Sequence, residues 1–165
     1  DPRTLTVLRR LEEEYSPHAL TFNDLEDAPG IYKKGSRTFE LAPNTTQVKY
    51  LDVEGNKKIF IERKAVNDGR IDVHTYYSRV VLSGADITAL ITPSEVTFSD
   101  GTLVIGPQKE QKFNFVGFKR DFTISQFTDP RPDRLSGIRF DLGWEIILIR
   151  IPPSLDIEEQ RGLIY

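Results

Sequence analysis

The stretch Trp144-Glu145-Ile146-Ile147-Leu148-Ile149-Arg150-Ile151 decides what kind of fold this chain can adopt. It is almost entirely β-branched or apolar, and strand geometry sends successive side chains to opposite faces. Ile146 and Leu148 therefore point one way, and Ile147, Ile149 and Ile151 the other. A strand that is apolar on both faces must be covered on both. The expected cover is the N-terminal helix or a partner. Pro152 and Pro153 end the strand, because neither can donate to a ladder.

Working outward from this strand, a period of two runs back to about Arg37. Strands are expected over Thr38–Leu41, Gln47–Val53, Lys57–Val66, Ile71–Leu82, Asp86–Ile91, Glu95–Ser99 and Thr102–Ile105. Further strands are expected over Lys112–Phe118, Arg120–Phe127 and Gly137–Leu142, where Ile138 to Leu142 alternates apolar with charged residues. Asp68-Gly69 and Asp100-Gly101 read as hairpin turns, since both central positions of such turns need positive φ; Glu54-Gly55-Asn56 is a looser signal. The pattern implies a mainly β fold: one antiparallel, jelly-roll-like β-sandwich or a β-barrel of about ten strands, with its β core over residues 37–151.

Helices are expected at the two ends of this single domain. Over residues 1–16, Asp1 caps, Pro2 suits the first helical position, and Leu5, Leu8, Leu11 and Tyr15 form one apolar face. That face packs on its own domain or lies as an arm on a neighbouring subunit. Over Ser154–Arg161 the acids come early and the arginine late, with Gly162 as terminator, which predicts a short helix before the apolar tail Leu163-Ile164-Tyr165. Asn23 to Lys34, with Asp24, Glu26 and Asp27, reads as an irregular acidic segment. Thr128 to Arg134 reads as a rigid polar loop that carries Arg131 and Arg134.

Composition narrows the chemistry. The 165 residues contain 22 Lys+Arg against 25 Asp+Glu, a formal charge of -3, which argues against a dedicated nucleic-acid binder. Without cysteine there is no disulfide, thiolate metal site or cysteine nucleophile. No apolar run is long enough for a membrane-spanning helix, so the expectation is a soluble chain, compatible with a reducing compartment or a virion. His18 and His74 do not share a metal-ligand spacing, and the acidic segment lacks the EF-hand pattern, so neither metal nor cofactor is expected.

The remaining candidates are few. Alternation puts Asp72, His74 and Tyr76 on one strand face, where a His–carboxylate pair could orient a ligand or act as a base; the plainer reading is a solvated strand face. Trp144 is a candidate ligand contact. Asp129, Asp133, Asp141 and Glu145 could pair as glycosidase carboxylates, although Asp141 alternates with Arg139 as a surface ion pair does. No catalytic residue is assigned. The expected function is a non-catalytic structural or interaction module within a larger assembly, with a protein partner or further copies of itself. Leu5, Leu8, Leu11, Tyr15, Arg131, Arg134, Leu163, Ile164 and Tyr165 are its candidate contacts. The alternative is a lipocalin-like barrel around a small apolar ligand, and the third reading a hydrolase using carboxylates or His74.

Overall fold

The computed structural model describes residues 1–12, 20–55, 57–107, 111–113, 122–124, 140–141 and 143–160. Helix α1 spans Pro2–Glu12 and helix α2 spans Phe22–Asp27. The strands that follow are β1 (Ile31–Glu40), β2 (Gln47–Asp52), β3 (Lys58–Arg63), β4 (Arg70–Ser78), β5 (Val81–Leu82) and β6 (Ala85–Asp86). After a 3-10 turn at Thr88–Leu90 come β7 (Val96–Ser99), β8 (Thr102–Ile105), β9 (Gln111–Phe113) and β10 (Phe122–Ile124). The last three strands are β11 (Phe140–Asp141), β12 (Glu145–Ile151) and β13 (Asp156–Glu159). The fold is mainly β, as its sequence implies.

Two four-stranded sheets dominate. The first has the order β1-β4-β12-β3 and the second β13-β2-β8-β7; neither closes into a barrel. Their facing sides share one apolar cluster. Ile71, Val73, Ile147, Ile149 and Ile151 of the first sheet meet Val48, Val96, Leu103 and Ile105 of the second. The opposite side of the first sheet is covered by the helices, where Val7, Leu11, Leu25 and Ala28 pack with Tyr76, Ile146 and Leu148. Strand β12 is thus covered on both faces, by helices on one and by the second sheet on the other. All its residues except Arg150 are buried.

The purely antiparallel expectation is overturned. Strand β12 runs parallel to β3, β13 parallel to β2, and β2 parallel to β8. The reason lies in the connections. The segment after β2 crosses to the other sheet, so Gly55, at φ +66°, makes a turn between layers and not a hairpin. Gly69 likewise turns with positive φ, but β12 intervenes between β3 and β4. Asp100-Gly101 is a hairpin as expected: both residues have positive φ, and Ser99 pairs with Thr102. Ser83-Gly84 makes a second one between β5 and β6.

Three further expectations are corrected. The C-terminal helix is instead β13, anchored by Asp156 N–H to Thr46 O at 2.9 Å and Gln160 N–H to Tyr50 O at 2.7 Å. Buried Leu155 and half-buried Ile157 alternate with exposed acids, a period of two that outweighs the charge pattern of a helix. The irregular acidic segment holds α2, closed by a capping box in which Thr21 and Asp24 each accept the other's backbone N–H, and β1 starts already at Ile31. The strand expected over Asp86–Ile91 ends at Asp86, whose Oδ1 accepts the Thr88 N–H and starts the 3-10 turn. At the other terminus, Asp1 caps α1 as expected, its Oδ1 accepting the Arg3 N–H at 2.8 Å.

Candidate functional site

Two polar clusters interrupt these apolar layers, one on each face of the first sheet. The outer one contains the predicted trio. Alternation along β4 puts Asp72, His74 and Tyr76 on the helix side, opposite Ile71 and Val73. Cross-strand register then fixes their neighbours. Arg150 stands between Glu62 and Asp72, and His74 stands between Leu148 and Ser36. Helix α2 lies over this row. The Phe22 ring sits 4.9 Å from the His74 ring, with the Arg150 guanidinium at 4.9 Å and the Lys33 ammonium at 5.2 Å from its centroid. Glu62 Oε2 accepts both the Phe22 N–H at 3.0 Å and the Arg150 Nε–H at 3.1 Å, and Lys33 pairs with Glu26 of α2 at 2.7 Å.

This arrangement sets the protonation states. His74 is 8% exposed. Burial, reinforced by the Lys33 charge, lowers its pKa to about 4, so the imidazole is neutral at pH 7. Its Nδ1 lies 3.1 Å from Ser36 Oγ, while Nε2 is buried without a hydrogen-bond partner. Burial pushes the Tyr76 phenol up, and the nearby Glu26 charge adds to this. Burial of Asp72 acts upward too, but hydrogen bonds from Lys64 and Thr38 outweigh it and hold the carboxyl below its usual range. Asp72 is therefore committed to Lys64, 2.8 Å away, and to Thr38, also at 2.8 Å. The trio shares a face, as alternation predicts, and α2 docks on that face: His74 and Tyr76 are buried, while Asp72 is partly exposed.

The inner cluster sits at one end of the layer between the sheets. Glu145 is 1% exposed and stands opposite Tyr77 in the β12–β4 register. On its other side Ile146 pairs with Lys58, the first residue of β3, and the charge of the preceding Lys57 acts on the Glu145 carboxyl. The Lys57 ammonium, fully buried, bonds Asp52 Oδ1 at 2.8 Å; Asp52 closes β2 and belongs to the second sheet. Glu145 Oε1 accepts the Ser94 N–H at 3.1 Å, whereas Glu145 Oε2 and Ser94 Oγ are buried without hydrogen-bond partners. Burial raises the Glu145 pKa, against the opposing pull of Ser94 and the Lys57 charge.

The remaining candidates are dispersed. Trp144 is half-buried beside the helix-side cluster, with the Lys58 ammonium 4.9 Å from its ring centroid. On α1, Leu11 is buried, Leu8 partly buried and Leu5 60% exposed. The helix packs on its own domain through Val7 and Leu11. Glu145, offered above as a candidate glycosidase carboxylate, is a core residue; a lone acid inside an apolar strand is the signal that points inward. Tyr15, Asp129, Arg131, Asp133, Arg134, Leu163, Ile164 and Tyr165 lie outside the described residues. Among the described residues no group of three metal-ligating side chains converges, and no helix is long and apolar enough to cross a membrane. The sequence reading missed Lys57 and Asp52, five residues apart, which meet across the connection between β2 and β3. No family model matches the chain, and no curated protein or solved structure matches it.

Proposed function

We propose that this chain is a non-catalytic structural or interaction module, a subunit of a larger assembly. The observation that carries the reading is the use of the His74 face. The imidazole that sequence offers as a general base is neutral, covered by Phe22, and ringed by side chains that hold α2 to the sheet. A general base needs hydrogen-bond reach to a substrate proton, and Phe22 occupies that approach. The space between the sheets is filled by Val48, Val73, Leu103, Ile147 and Ile149, which favours a sandwich over a ligand-holding barrel. For contact with a second copy, Leu5 is the best-placed residue, 60% exposed on a helix whose Val7 and Leu11 are anchored in the core.

Native mass spectrometry of the purified chain across a concentration series tests this. An oligomer is expected, with the exposed Leu5→Asp variant associating about tenfold more weakly or worse, equivalent to about 1.4 kcal/mol, at unchanged melting temperature. A monomer at every concentration, or an oligomer indifferent to Leu5→Asp, overturns the assignment of this contact. An adduct of a few hundred daltons on a monomer would instead support the ligand-binding barrel.

A further inference from the structure

We propose that Lys57 and Asp52 become joined after folding by an intramolecular amide between Lys57 Nζ and Asp52 Cγ, with the neighbouring Glu145 carboxyl relaying the protons. The site has the parts such a condensation needs. The amine and the carboxyl are held 2.8 Å apart, with the two side chains 0% and 9% exposed. A second hydrogen bond, from the Gly55 N–H to the same Asp52 oxygen at 3.1 Å, fixes the carboxyl. Gly106 packs tightly beside the ammonium: a Cβ there would come within 3.0 Å of Lys57 Nζ. Two reactants held in one orientation react at effective molarities far above any concentration in solution. Excluding water also removes the reagent that would reverse the bond.

The step balances without an oxidant, reductant or cofactor. The ammonium proton crosses the hydrogen bond to the Asp52 carboxylate, leaving a neutral amine and a neutral acid. The Nζ lone pair attacks Cγ and the carbonyl π pair moves to oxygen. The nitrogen then gives up a second proton as the C–OH bond breaks, and hydroxyl and proton leave as water. Glu145 immediately precedes Ile146, which pairs with Lys58, and the Lys57 charge acts on its carboxyl. Its buried carboxyl, held by Ser94 and by Tyr77 across the β12–β4 register, is the group that takes the nitrogen's proton and returns one to the leaving oxygen. Burial raises its pKa, which makes the carboxylate a stronger proton acceptor for that step. In a chain without cysteine, this bond would tie the end of β2 in one sheet to the entry of β3 in the other.

Intact mass spectrometry of the full chain, folded and then denatured, reads the bond directly. The expected mass is about 18 Da below the sequence mass, one water lost. Trypsin is expected to leave Lys57 uncut, and fragmentation to place the loss on a peptide linking Asp52 to Lys57. Lys57→Arg, Asp52→Ala and Glu145→Gln should each return to their full calculated masses. Glu145→Gln is the informative one, since its circular dichroism should match the unsubstituted chain, showing a folded protein that lacks only the relay. The full sequence mass after prolonged incubation of the folded chain overturns the proposal. So does a loss of water that leaves Lys57 cleavable and reverses with hydroxylamine, which marks a cyclised aspartate. A normal cross-link yield in Glu145→Gln removes Glu145 from the reaction.

Discussion

At the scale of single residues, two of the buried titratable side chains, His74 and Glu145, impose opposite pH dependences. His74 has a folded pKa of about 4 against the ordinary 6.5, so the folded protein binds fewer protons than the unfolded chain between these values. Its contribution is therefore complete above about pH 6.5 and is lost as the pH falls toward 4, by up to about 3 kcal/mol. Denaturant titrations between pH 4 and 7 should show this slope, and His74→Gln should flatten it; an unchanged slope would mean that the imidazole is not the group responsible. Glu145 behaves the other way. Its folded pKa is raised, so its contribution is complete below the unfolded carboxylate range and is lost as the pH rises through the folded value. Glu145→Gln, which cannot ionise, should gain stability relative to the unsubstituted chain as the pH is raised. A third residue acts through space alone. A Cβ on Gly143 would lie 2.3 Å from the Ser78 carbonyl oxygen, so Gly143→Ala should cost about 1–3 kcal/mol in thermal or chemical melts. The His74 trio was legible in the sequence as a shared face because alternation is local. Its burial was not, because the covering Phe22 comes from a segment whose only signal is the Thr21–Asp24 capping box.

At the scale of elements, β13 makes the sharpest test of local propensity against tertiary pairing. Acids followed by an arginine and a glycine suit a helix, and proline in the first turn of a helix is tolerated. In the parallel pair with β2, however, Asp156 supplies an N–H to Thr46 at 2.9 Å. Asp156→Pro should thus cost about 1–3 kcal/mol, the loss of a ladder bond with an acceptor left behind, where a helix would scarcely register it. Unchanged stability would argue against the strand. The cap of α2 can be weighed in the same way: Thr21→Ala should cost about 1 kcal/mol and loosen the cover over His74, seen as faster amide exchange at Asp24 and Leu25. The hairpin at Asp100-Gly101 needed no such arbitration. Two positive-φ residues between β-branched runs leave the backbone few alternatives, and β7 and β8 form almost where the pattern puts them.

Across the whole molecule, β12 is the element on which both apolar layers depend. Ile149→Ala on its inner face should cost about 2–5 kcal/mol, because the surrounding sheets cannot collapse into the space left behind. A loss of similar size is expected from Leu148→Ala on the helix side. If the layers fold as one unit, either change should lower a single denaturation midpoint and not split the transition. The sequence by itself determined the β character, the double covering of β12, the capped N-terminal helix and the common face of Asp72, His74 and Tyr76. All of these follow from contacts or periodicities within a few residues. Only the tertiary structure decided the parallel pairings, the placement of the acidic C-terminal segment in a sheet, and the neutrality of His74. It alone also brought Lys57 close to Glu145. Each of these depends on which segments meet across a layer, and the free energy of such meetings comes from burial shared between residues far apart in the chain.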